Sequence, residues 1–157
     1  MQVGARVAAE GDVGTLADLY RAYRSALAGE RGGPVHLLRE SFAEPLETQL
    51  ESIIQDGQWL VLLGVLDDVP VGLAAVRLKT MPDSSQAATV EVIYVDPGAR
   101  EVGVGEQLLE AVAEWALRRG ATGVDVRVLP GMRASKNFLE GSGFVARLLV
   151  MHRRLQE

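Results

Sequence analysis

The residues most able to do chemistry lie between positions 90 and 109. An apolar, β-rich run ends at Val95, passes through Asp96-Pro97 and reaches Arg100-Glu101-Val102-Gly103-Val104-Gly105, after which Glu106 to Leu109 open a helical pattern. The chemistry is anion binding. The first N–H groups of a helix have no partner within it, and the helix dipole places partial positive charge at that end. Glycine lets the main chain approach a phosphate without a Cβ in the way. Two phosphate loops with fixed spacings do not fit. A dinucleotide fingerprint needs a third glycine at the position of Leu108, and a Walker loop needs lysine and a hydroxyl residue where Glu106 and Gln107 stand.

The surrounding pattern supplies the elements that position this loop. Residues 3–8 read as a first strand, and Gly11-Asp12 offers a cap to a helix over 13–28, whose apolar residues include Leu16, Tyr20, Tyr23 and Leu27. Residues 29–34 read as a loop, and a weaker helix runs from about Pro45 to Gln55. The period then changes. Residues 59–66 and 71–78 are β-rich runs joined by a turn at 67–70, and a second turn at 82–86 precedes a strand over 89–95. A helix from about Val104 to Arg119 stops at Gly120. A strand over 124–129, a short helix over 134–140 and strand-like sequence from Phe144 onward complete the order β-α-α-β-β-β-α-β-α-β. That order predicts an α/β chain with a mixed sheet, mostly antiparallel and flanked by helices, in one domain over residues 1–157.

Two glycines before a helix are by themselves a weak signal, but the whole segment is more specific. Val-Asp-Pro, then R-x-x-G-x-G, then Leu108-Leu109 on a helix resembles the acetyl-coenzyme A loop of the GNAT N-acetyltransferase superfamily. Downstream, Phe138-Leu139-Glu140-Gly141-Ser142-Gly143-Phe144 is similar to that family's F-Y-x-x-x-G-F signature. The resemblance implies that the amides of Glu101, Val102, Gly103, Val104, Gly105 and Glu106 cradle a pyrophosphate. It implies that Ile93, Tyr94 and Val95 present strand backbone to the pantetheine arm. Arg100 holds the motif's side-chain position, with a loop salt bridge as its other reading, and Ser135 and Phe138 join the cofactor contacts. The thioester would lie where the strand ending at Val95 splays from the one around Val126.

The chain also departs from the pattern. Glu101 and Val102 stand where members often carry glycine and a basic residue. Leu139 replaces a tyrosine that protonates the departing thiolate in many members, and Met132 replaces an asparagine. Thiols have a pKa near ~8.5, so the thiolate leaves passably without full protonation. Tyr94, Ser135, Ser142 or water could supply the proton.

The implied reaction needs a neutral amine, and a primary amine of pKa ~10.4 is about 0.04% neutral at pH 7, a deficit of roughly 4.6 kcal/mol. A positioned base offsets part of this. Glu91 is the leading candidate: it interrupts a run apolar on both faces, so partial desolvation is expected to raise its pKa, unless an arginine pairs with it. Asp125 is the second, although Asp125 and Arg127 share a strand face and could form a solvated pair. His36 and His152 are too isolated to read as a metal site, and Trp59 and Trp115 read as core residues. Residues 28–44, with Glu30, His36, Arg39 and Glu40, fall where the family builds its acceptor pocket.

Composition limits the partners. Hydrophobic residues are 48% and charged ones 24%, as in ordinary globular chains, and the longest apolar run is far below the ~20 residues of a membrane helix. No secretory signal is recognised at the first residues, and there is no cysteine, so a soluble cytoplasmic protein is expected. The net charge is −5, and the only adjacent arginine pairs are Arg118-Arg119 and Arg153-Arg154, which argues against nucleic acid. The expected function is direct acetyl transfer from acetyl-coenzyme A to an amine, on a small molecule or on a protein N-terminus or lysine. The alternative is a non-catalytic acyl-coenzyme A-binding or sensing module. By analogy a homodimer could form through residues 148–154.

Overall fold

Strands that are apolar on both faces are stable only inside a sheet covered on both sides. The computed structural model, which describes residues 1–155, builds such a sheet. Its elements are β1 (Val3–Val7), α1 (Val13–Ala28), α2 (Gly33–Glu40), α3 (Leu46–Gln55), β2 (Trp59–Leu66), β3 (Val69–Thr80), β4 (Gln86–Val95), α4 (Val104–Arg118), β5 (Ala121–Val126) and α5 (Arg133–Gly141). The strands lie in the order β1-β2-β3-β4-β5. All neighbours are antiparallel except β4 and β5, which run parallel and are joined by α4.

Two apolar layers hold the helices to the sheet. On one face Leu16 and Tyr20 of α1 and Leu50 of α3 pack with Leu63, Leu73, Ala75 and Val92. On the other, Val104, Leu108, Val112 and Trp115 of α4 pack with Leu62, Ala74, Val76 and Val90. Gly64 makes the second layer close enough to seat the start of α4: a Cβ there would lie 2.6 Å from Val104 Cγ1.

The structure corrects several boundaries. Asp67 and Asp68 have φ of 48° and 65°, the type I′ geometry of a two-residue hairpin, so β3 begins at Val69 rather than 71. The expected loop at 29–34 gives way to α2, which starts at Gly33 with Pro34 in its first turn. The strand expected at 124–129 is β5 at 121–126, because its pairing with β4 ends at Val126. The strand expected from Phe144 is not formed: residues 144–155 carry no helix or strand, and β5 is the sheet edge.

Candidate active site

One irregularity organises the site. Ala75 pairs with Val92 but Val76 pairs with Val90, so Glu91 is an extra residue, a β-bulge in β4. An inserted residue flips the strand's alternation. Ala88 and Val90 accordingly face α4, whereas Val92 and Tyr94 face α1. The β4–β5 ladder also stops here, at Val90–Val126, and residues 91–95 continue without a strand on that side.

The main chain beyond the bulge can be assigned from its hydrogen bonds. Asp96 N–H donates to Val71 O at 2.8 Å, so alternation turns the main-chain groups of Tyr94 toward β3 and those of Ile93 and Val95 toward the open side. Of the three residues expected to present backbone to pantetheine, Tyr94 is thus engaged within the sheet. Val95 O accepts from Arg100 Nε at 2.9 Å, and the Arg100 guanidinium lies 5.7 Å from the Tyr94 ring centroid. Arg100 braces the loop against the end of β4 by these contacts and, among the described residues, makes no salt bridge, the alternative reading.

The loop then presents its amides. Gly103, with φ of 100°, precedes the first turn of α4, a conformation that glycine takes without strain. Among the described residues, none of the amides of residues 101–106 donates within the chain, and the first donor after them is Gln107, to Gly103 O at 3.1 Å. Six successive donors at the positive end of a fifteen-residue helix fit a diphosphate. Glu101 is exposed and has φ of 68°, the left-handed region where members often place glycine. Phe138 of α5 closes one side: a Cβ on Gly105 would come within 3.0 Å of its ring. Ser135 is half-buried on the first turns of α5.

The carboxylates have different surroundings. Glu91, with 9% of its side chain exposed, is held between Arg127 and Arg77, the latter at 3.5 Å. Arg127 also reaches Glu40 at 3.5 Å, so the ion pairs span from β4 to α2. Asp125 does not pair with Arg127; Arg147 grips it with two hydrogen bonds, Nε at 2.9 Å, and lowers its pKa. A carboxylate so stabilised in its charged form is a weak base. Glu91 is likewise paired, so at that position the arginine contact, the alternative to simple desolvation, is what the structure shows. His36, half-buried on α2, has its pKa lowered, first by desolvation and then by the charge of Arg127, which favours the neutral imidazole.

Tyr94 has its pKa raised, first by desolvation and then by Asp96, which keeps its hydroxyl protonated. Its ring meets Tyr23 edge-on at 6.4 Å. Burial raises Tyr23 as well, beyond the ordinary phenol range. Leu139 is 6% exposed, a core position, and Met132 packs against the α1 layer.

Sequence reading does not connect Arg77, Arg127, Glu40 and Tyr23 with Glu91. The available signal is charge within apolar strands: Arg77, Glu91 and Arg127 each interrupt or end one of three consecutive runs. Among the described residues no three His, Asp or Glu side chains gather as metal ligands, and no helix is long and apolar enough to cross a membrane.

Comparison with known proteins gives this geometry a family. The model of the acetyltransferase (GNAT) family matches residues 17–144. No curated protein matches the chain in sequence. Among solved structures, an aminoglycoside acetyltransferase, meta-AAC0020 from an uncultured soil metagenomic sample, in complex with sisomicin, is 17% identical with a TM-score of 0.75, covering 99% of this chain and 96% of its own. A ribosomal-protein-alanine N-acetyltransferase from Brucella melitensis biovar Abortus 2308 is 19% identical with a TM-score of 0.73, covering 99% and 100%. AAC(6')-Iy in complex with the bisubstrate analog CoA-S-monomethyl-acetylneamine is 21% identical with a TM-score of 0.72, covering 99% of each chain. These likenesses show the fold, and the family match shows the membership: the chain belongs to the acetyltransferase (GNAT) family.

Proposed function

We propose that the chain transfers an acetyl group from acetyl-coenzyme A directly to a primary amine. The observation that carries this reading is the row of unpartnered amides at 101–106 beside the open side of β4. When bound, acetyl-coenzyme A supplies an activated thioester. The amides of 101–106 bind its pyrophosphate, and Ile93 and Val95 offer main-chain groups to the arm that leads into the gap between β4 and β5. With no cysteine in the chain, an acyl-enzyme on sulfur has no residue to form on.

The acceptor amine, on a small molecule or on a protein N-terminus or lysine, approaches from the α1–α2 side. Its nitrogen bonds to the acetyl carbon as the carbon–sulfur bond breaks. One amine proton passes to Glu91, directly or through water, and the thiolate takes a proton from the Tyr94 hydroxyl or from water. Arg77 and Arg127 fix the Glu91 carboxylate at a cost in basicity, and His36, whose burial favours the neutral ring, adds a second proton acceptor on the same side. The sensing alternative is favoured by one observation, the buried Leu139 at the place of the family's proton-donating tyrosine.

Release of coenzyme A thiol across an amine panel separates the two. Turnover with at least one amine is expected, and Glu91→Gln is expected to lower kcat by about 10²-fold or more at neutral pH. Thiol release with none of the amines, despite acetyl-coenzyme A binding, would favour the sensing module. Unchanged turnover in Glu91→Gln across pH would remove Glu91 as the base.

A further inference from the structure

The side chains around Glu91 form a charged cluster that is closed below and open above. Glu91 is its buried member, and the two guanidiniums that flank it, Arg77 and Arg127, keep 39% and 43% of their side chains exposed. Each arginine reaches a different oxygen of the one carboxylate. An amine that comes to Glu91 therefore passes between two fixed positive charges. Such an arrangement selects: it repels a ligand that brings further cations and draws one that brings an anion.

Both arginines have donors to spare. A guanidinium offers five N–H donors in a planar fork that matches a carboxylate. Arg77 touches Glu91 through Nη2 alone, at 3.5 Å, and its buried Nε has no partner. Trp59, its pairing neighbour on β2, lies with its ring centroid 5.8 Å from the guanidinium, so the fork is oriented before a ligand arrives. Arg127 already carries a carboxylate on its outer side. Glu40 lies there at 3.5 Å, part-exposed, an ion pair too long for a good hydrogen bond. The next acidic side chains along the chain, Glu44 and Glu47, are taken by Arg24 and Arg21. Arg77 and Arg127 thus balance Glu91 and Glu40, which leaves no surplus of negative charge for a polyamine.

We propose that the acceptor is a small amino acid, an amine with a carboxylate a few bonds from its nitrogen. The ligand's carboxylate displaces Glu40 from Arg127 and takes the spare donors of Arg77, and its nitrogen turns to Glu91. The pocket sets that short spacing, because both guanidiniums touch the same carboxylate that receives the amine proton. A polypeptide N-terminus has an uncharged amide at this distance, and a polyamine has a second cation. Neither carries the group that the arginines read. The fate of the amine rests on the acetyl-transfer reading, whereas the carboxylate site does not.

Matched pairs test this: each common amino acid against its own carboxamide, with 1,4-diaminobutane as the polyamine. Thiol release is expected with at least one amino acid, at a kcat/KM about 10²-fold or more above that of its carboxamide. Arg77→Met, which keeps an apolar stem beside Trp59, is expected to raise KM for that amino acid by about tenfold and to erase most of the preference over the carboxamide. Glu40→Gln is expected to lower the same KM several-fold, because it removes the competing carboxylate; an ion pair that only held α2 in place would give no such gain. Equal or better use of carboxamides or of 1,4-diaminobutane would overturn the proposal and leave acetyl transfer standing. If no amine releases thiol, the arginine Nε–Hε resonances decide. Shifts at Arg77 and Arg127 with an amino acid but not with its carboxamide would uphold the carboxylate site while the transfer reading fails. No shift with any amino acid at millimolar concentration would overturn the proposal.

Discussion

Glu101 shows how a single residue can carry both a fold constraint and a functional one. Its φ of 68° costs an L-residue about 1–2 kcal/mol, and its amide belongs to a row suited to a diphosphate, beside which a carboxylate is unfavourable. Glycine at this position would remove the strain but would lose about 0.4–1 kcal/mol through a more flexible unfolded chain. Glu101→Gly is therefore expected to gain about 0.5–1 kcal/mol, a rise in Tm of roughly 1–4 °C by calorimetry, and to bind acetyl-coenzyme A several-fold more tightly. A lower Tm with weaker binding would mean that the loop is held by the glutamate side chain. The same scale explains why Glu91 was only half legible in the sequence. Its isolation among apolar neighbours pointed to a special role, but the two arginines that hold it come from positions fourteen and thirty-six residues away. Such pairing depends on strand register, which local sequence does not encode.

At the scale of elements, the parts with strong local signals were readable. The β2–β3 hairpin, the β4–loop–α4 unit and α1 all follow from period and turn residues, and the structure moves their ends by only a few positions. Three features were not readable. The bulge in β4 was hidden because Val90, Val92 and Ile93 are apolar whichever face they take. The short α2 was hidden because its eight residues hold too few apolar positions to show a helical period. The segment after Phe144 has strand composition but, among the described residues, joins no main-chain ladder, so composition predicted a strand where residues 144–155 form none. Gly64 ties the element scale to the site, since α4 can start where it does only if β2 offers no Cβ beneath Val104. Gly64→Ala is expected to cost about 1–3 kcal/mol by overpacking and to weaken acetyl-coenzyme A binding as the first turn of α4 shifts. Loss of stability with unchanged binding, measured by denaturant unfolding and calorimetric titration, would separate the loop from that packing.

For the whole molecule, the sheet divides the labour. One face, under α4, carries the loop of unpartnered amides, and the other, under α1 and α2, gathers Glu91, Arg127, Glu40, His36 and Tyr23. The β4–β5 ladder ends at the bulge, so residues 91–95 continue without a strand on that side. A thioester held along β4 would thus meet an acceptor arriving from the opposite face. Amide chemical shifts during titration with acetyl-coenzyme A test this arrangement most directly. The largest changes are expected at residues 101–106 and at Ile93 and Val95, with the β1–β2 edge unaffected. No change at millimolar ligand, or changes confined to residues outside the loop and β4, would contradict it.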